Sequence, residues 1–269
     1  MMMPSRPVGE LLREWRQRRS LSQLDLACRA EVSARHVSFL ETGRSTPSRD
    51  MLLHLAEELD VPLRERNTLL MAAGFAPVYS ENELDGPRMT AAREAVELVL
   101  SGHEPYPALA VDRHWHLVTA NRAVGVLLEG IPGELLQPPV NVLRLSLHPD
   151  GLGRRILNLE QWRTHVLARL QRQVSTTADA TLAELLEELR GMGPVPDGAA
   201  EPDYAGVVVP LRIMTPRGVL SFIGTTTVFG TPVDITLAEL AIESFFPADA
   251  ATGDLLRRAA AEAARHSDA

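Results

Sequence analysis

The sequence predicts an α+β multidomain protein. A five-helix N-terminal domain is followed by an antiparallel five-stranded sheet with covering helices. Three observations predict this. Apolar residues recur at helical spacing, with capping residues between, up to about residue 77. Beyond residue 89, short alternating runs are interleaved with long amphipathic ones. A polar, turn-rich stretch, Val78–Arg88 (VYSENELDGPR), separates the two. The boundaries read 1–77 for the first domain, 78–88 for the linker and 89–269 for the second domain. A chain of 269 residues with 45% apolar content is long enough for two cores.

Val8–Arg19 opens the first domain, with Val8, Leu11, Leu12 and Trp15 on one face. Leu21–Pro47 reads as two short helices joined at Ala30-Glu31-Val32. Ser22 and Ser33 are N-cap residues, and Gly43 is a left-handed stop. Leu24, Ala27 and Ala30 give the first of these helices a small apolar face. Val37 and Leu40 turn the second inward and leave Ala34, Arg35, His36, Ser38 and Phe39 outside. Arg49–Leu59 and Leu63–Ala73 complete five helices, and Gly74 closes the last.

The stretch Leu21–Pro47 resembles the helix-turn-helix of phage-repressor-like (Xre-type) DNA-binding domains. Leu21-Ser22-Gln23, Leu26-Ala27, Ala30, Val32-Ser33, Val37-Ser38, Leu40-Glu41 and Gly43-Arg44 carry the match in register. The resemblance implies that the second helix enters the major groove and that double-stranded DNA is a partner. Ala34, Arg35 and Phe39 fall at its base-facing positions. Arginine matches the two acceptors of guanine, and Ala34 and Phe39 suit thymine methyls. Gln23, Arg44 and Ser45 are candidate backbone contacts, with Ser33, His36 and Ser38 beside them. Reading a two-fold operator calls for a homodimer.

Net charge is −8, but it is unevenly spread. Residues 1–50 carry nine arginines against six acids, a net of +3. Residues 78–269 carry sixteen against twenty-five, a net of −9. The positive field therefore sits at the end with the DNA-binding motif. There is no lysine, so a phosphate-binding loop of the Gly-Lys type is excluded. The single cysteine, Cys28, excludes an internal disulfide and reads as a small core residue. No run of about 18 apolar residues and no signal-peptide core occur, so a cytoplasmic location and no membrane partner are expected.

In the second domain, Met89–Leu100 reads as a helix. Ala108–Asp112 and Trp115–Ala120 form a hairpin across Arg113-His114. Asn121 is placed to cap Arg122–Leu128, and Asn141–Leu147 reads as a further helix. Leu157–Thr176 and Thr181–Met192 are long amphipathic helices, and Gly193–Gly206 reads as a loop. Val207–Met214 and Val219–Val228 form a second hairpin. Ile235–Phe246 reads as a strand and Asp249–Arg265 as a helix. Five antiparallel strands covered on one face by helices is the arrangement of PAS domains.

Several motifs here resemble the MmyB-like ligand-binding domain. They are Pro107–Asp112, Thr119–Asn121, Asn141–Leu145, Leu147–Gly151, Pro210–Arg212, Phe229–Thr236 and Glu243–Asp249. Ser38–Arg44 and Ala72–Pro77 match the helix-turn-helix that accompanies it. The resemblance implies a transcription regulator whose PAS-like domain binds a small amphipathic ligand, such as a fatty acid, and modulates DNA binding. Arg144 and His148, four apart, are candidates to anchor an anion. Leu143, Leu147, Trp162, Val166 and Phe222 are candidates for the apolar wall.

Other chemistries have less support. Asp112, His114 and His116 alternate like metal ligands, but a turn at Arg113-His114 breaks the alternation and no fourth ligand is apparent, so no metal is expected. No nucleophile-elbow motif surrounds Ser221, so Ser221, His165 and Asp234 do not read as a triad. No cofactor and no enzyme activity are expected. The alternative to a ligand sensor is a DNA-bound adaptor whose C-terminal domain binds a protein.

Overall fold

The computed structural model describes residues 6–193, 209–230 and 232–267. It is an α+β architecture of two compact units. One comprises Met1–Asn82 with Ser175–Thr177 and Pro232–Ala238. The other comprises Glu83–Val174, Ala178–Thr231 and Glu239–Ala269.

The first unit is built on α1 (Val8–Arg18), α2 (Gln23–Arg29), α3 (Ala34–Glu41), α4 (Arg49–Glu58) and α5 (Leu63–Ala72). Serine caps start three of them. Ser22 accepts from the Asp25 amide in a capping box, Ser33 from His36 and Ser48 from Met51. Gly43 at φ +69° follows α3, a conformation that costs glycine least. Leu12, Trp15, Leu26, Ala27, Ala30, Val37, Leu40, Leu52, Leu55 and Leu70 form the core.

Two expectations are corrected here. Leu24 is exposed, because the inward face of α2 is Leu26, Ala27 and Ala30. Cys28 follows that face by one position and is exposed, rather than a core residue.

The second unit begins with α6 (Thr90–Gly102), β1 (Ala108–Val111), β2 (Leu117–Ala120), α7 (Gly125–Leu128) and α8 (Val142–Leu147). The long helices α9 (Leu159–Thr177) and α10 (Ala180–Gly191) follow. Next come β3 (Leu211–Thr215) and β4 (Gly218–Val228). After α11 (Ile235–Ala238), the chain ends with β5 (Ala241–Pro247) and α12 (Ala250–Ser267). The five strands form one antiparallel sheet in the order β2-β1-β5-β4-β3. The expected loop Gly193–Gly206 lies outside the described residues apart from Gly193, as do Val207 and Val208 of the expected strand.

Period-two alternation splits β1 between two cores. Leu109 and Val111 face Leu143, Leu147, Val166, Leu170 and α10. Ala108 and Ala110 face Val96 and Leu100 of α6, with Leu240 and Ile242. Helices therefore cover both faces at β1, where one covered face is the expectation.

Two local expectations also change. Ile235–Phe246 is not one strand: Ile235–Ala238 forms a helical turn, and the strand begins at Ala241. Asn121 does not cap with its side chain. Its Oδ1 accepts from the Ala108 amide at 3.1 Å, and its Nδ2 donates to the carbonyls of Leu100 and Tyr106. Buried this way, it ties the end of β2 to the start of β1.

Candidate functional site

Two sites can be built from these elements, one in each unit. In the first unit, α3 is held from below by a buried ion pair. Arg16 Nε donates to Glu41 Oε1 at 2.6 Å, and its second terminal nitrogen donates to Glu41 Oε2 at 2.9 Å. Arg16 also donates to the Leu21 carbonyl at 2.7 Å. The hydrogen bond to Glu41 raises the pKa of the Arg16 guanidinium. Val37, Leu40 and Glu41 give α3 its buried side. Arg35 is exposed on the other side. Its guanidinium lies 5.1 Å over the Phe39 ring, and that of Arg44 lies 5.9 Å from the same ring. Cation–π contacts of this kind pre-order a flexible arginine.

The remaining candidates divide by role. His36 and Ser38 are half-buried on α3, and Ala34 packs partly against the core. The Ser33 hydroxyl is engaged as the cap of α3. Arg44 and Ser45 amides both donate to the Phe39 carbonyl, which closes the end of the helix. Gln23, expected at the DNA backbone, is half-buried, and its Nε2 donates to Glu41 Oε2 at 2.8 Å. A carboxylate already held by Arg16 is a strong acceptor within its reach.

In the second unit, a cavity of about 430 Å³ opens between the sheet and α7–α9. Its walls include Leu109, Trp115, Leu117, Val124, Leu127, Val142, Leu143, Leu145, Trp162, Val166, Leu211 and Phe245. α9 supplies Trp162, His165, Val166, Arg169 and Arg172, at spacings of three and four that hold them on one face. β4 and β5 supply Gly224, Thr226, Glu243 and Phe245 by strand alternation.

The polar groups are few and specific. Arg169 donates two hydrogen bonds to the buried Glu243 carboxylate, at 2.9 and 2.6 Å, and one to Thr226 Oγ1 at 2.7 Å. The same guanidinium lies 4.5 Å over the Trp115 ring. His165 stacks on Trp162, with centroids 5.7 Å apart. Among the described residues, the Trp162 indole nitrogen is buried without a hydrogen-bond partner.

Burial, and then the charges of Arg169 and Arg172, lower the His165 pKa. The unfolded chain takes up this proton near pH 6.5, and the folded chain only below that. The contribution of neutral His165 is therefore present above about pH 6.5 and is lost as pH falls through the lowered folded pKa. His165→Gln is expected to flatten the fall in stability on the acid side. Urea midpoints between about pH 7.5 and 5 check this; an unchanged slope contradicts it.

Of the ligand candidates read from the sequence, Leu143, Trp162 and Val166 line the cavity. Leu147 and Phe222 lie in the packed core beside it. Arg144 and His148 are not at the cavity. Arg144 donates twice to Glu188 at 2.6 Å, because α10 brings that carboxylate alongside. His148 Nδ1 accepts from the Asp150 amide after α8. The cationic groups at the cavity are Arg169 and Arg172, which sequence reasoning missed. The available signal was arginine on the same helical face as Trp162 and Val166.

No helix among the described residues is long and apolar enough to cross a membrane. No curated protein matches the chain. Among solved structures, an RNA-binding light-oxygen-voltage receptor aligns at 14% identity over 96% of this chain, with a TM-score of 0.28. The chain spans 64% of that receptor's length, and the likeness is too low to bear on function. Two family profiles match. Residues 12–66 match the helix-turn-helix family, and residues 92–259 match the MmyB-like transcription regulator ligand binding domain. With a helix-turn-helix in one unit and a cavity in the other, the chain belongs to the MmyB-like transcription regulators, as a helix-turn-helix joined to a ligand-binding domain.

Proposed function

We propose that this chain is a one-component regulator that works as a cytoplasmic homodimer and performs no catalysis. In this reading α3 reads DNA, and the cavity takes a small amphipathic anion of the fatty-acid type. Ligand shifts the population between conformers that differ in DNA affinity. The observation that carries the reading is the cavity itself: a mostly apolar chamber of about 430 Å³ with Arg169, Arg172 and His165 among its few polar groups. Apolar walls suit an acyl chain, and the cluster of Arg169, Glu243 and Thr226 with His165 supplies the few polar groups that a headgroup needs.

Native mass spectrometry of the full chain, with extraction after denaturation, tests the ligand half of this reading. One amphipathic carboxylic acid released per chain is expected. A chain that is empty as purified, and stays empty after incubation with lauric, myristic and palmitic acids, contradicts it and favours the protein-binding adaptor.

The DNA half rests on Arg35. Arg35→Ala is expected to cost about 1–3 kcal/mol at one guanine and to relax choice there. Arg44→Ala, at a backbone contact, is expected to weaken all sequences alike. Gel-shift titration on an operator and its single-base variants checks both; an equal loss on every sequence for Arg35→Ala contradicts its assigned role.

A further inference from the structure

We propose that the turn between β1 and β2 is a binding site for a divalent first-row transition-metal ion, with Asp112, His114 and His116 as its ligands. One donor atom from each of the three lies within 4.8 Å of the other two, and all three residues are half-buried. In a straight strand, residues two apart are separated by about 6.6 Å and residues four apart by about 13 Å. The turn that breaks the strand is what gathers them. Trp115 sits at φ +68°, a left-handed conformation unusual for a bulky residue, and it reverses the chain between the two histidines. Asp112 Oδ1 accepts from the amides of both His114 and His116 at 2.8 Å, which fixes the carboxylate under the turn. Its Oδ2 lies 3.1 Å from His116 Nδ1.

Asp179, at the start of α10, places Oδ2 3.0 Å from His114 Nε2, so a second carboxylate orients that imidazole from beside the three-residue cluster. Backbone amides of Thr181 and Leu182 hold its other oxygen. Carboxylates of this kind orient or complete metal-binding imidazoles. One cation is close: Arg113 lies 3.6 Å from Asp179 and 3.7 Å from Glu239. Asp112, Asp179 and Glu239 set three carboxylates against this guanidinium. Two imidazoles and a carboxylate select zinc or a neighbouring transition ion over calcium or magnesium, which prefer oxygen alone.

The site also touches the sensor. Trp115, between the two histidines, lines the cavity, and its indole donates to Gln173 Oε1 of α9 at 2.8 Å. An ion would brace the turn that carries this wall of the cavity. The proposal stands apart from the identity of the cavity's ligand.

The test is zinc titration of the untagged full chain after chelator treatment, by calorimetry, with cobalt absorption as a second readout. One zinc per chain and a cobalt visible band are expected. Asp112→Asn keeps an oxygen that can accept from both amides, so it preserves the turn; His114→Gln with His116→Gln removes both imidazoles. Each is expected to weaken zinc binding by about tenfold or more, with an unchanged circular dichroism spectrum. No saturable zinc binding overturns the proposal, as does one equivalent that binds equally well to the double histidine variant.

Discussion

Glu41→Ala is expected to destabilise the N-terminal unit by about 3–5 kcal/mol. The side chains of Arg16 and Glu41 are only 10% and 2% exposed. Removing the carboxylate strands a guanidinium that cannot give up its proton and leaves the Gln23 amide without its acceptor. In the proposed reading the consequence reaches DNA binding, because this pair joins α1 to the end of α3, the helix that carries Arg35 and Phe39. Urea melts of the full chain check the value; a loss below about 1 kcal/mol contradicts it. Replacing both partners with apolar residues, Arg16→Met with Glu41→Leu, is expected to recover much of the loss, since it is unpaired burial that costs most.

Gly224→Leu is expected to weaken ligand binding by roughly tenfold to hundredfold while leaving the fold in place. A Cβ built on Gly224 meets only two carbons of Phe245, at 3.9 and 4.0 Å, which is ordinary van der Waals contact. Beyond that contact, Gly224 borders the cavity, so a leucine would grow into the space proposed for the acyl chain. Overfilling such a space costs about 1–3 kcal/mol, and this penalty falls on the complex. Fluorescence titration of the variant with palmitic acid, beside a thermal melt, measures both. Unchanged affinity would place the ligand elsewhere.

The two units differ in how far the sequence disclosed them. In the first, the signals are local. Ser22 and Ser33 act on amides three residues away, and Gly43 acts on its own dihedral angle, so these helix boundaries could be read within a residue or so. The exposure of Arg35 was legible because it sits outside an inward face defined by Val37 and Leu40. The hydrogen bond of Gln23 to Glu41 was not, because Glu41 lies eighteen residues away and is chosen by packing.

In the second unit the site depends on long-range pairing. Arg169 reaches Glu243 across seventy-four residues, and no spacing rule links them. Arg144 drew attention because it shares a face with His148, yet Glu188 on α10 claims it. The strand at the end of the chain was drawn too early for a related reason: Ile235–Ala238 is apolar and β-branched in part, but it closes a helical turn in which Asp234 Oδ1 accepts from the Thr236 amide. The same limit applied to Asp112, His114 and His116. A turn that appeared to separate them brings their donor atoms together, and Asp179 joins from sixty-five residues away.

The central claim is that occupancy of the cavity controls DNA binding. The most direct measurement is the affinity of the delipidated full chain for its operator, with and without the acid released from the native protein, repeated with Gly224→Leu. The account predicts a shift of roughly fivefold or more, the usual scale of coupling between two sites, and a much smaller shift in the variant at the same ligand concentration. An operator affinity that does not change at saturating ligand would contradict it.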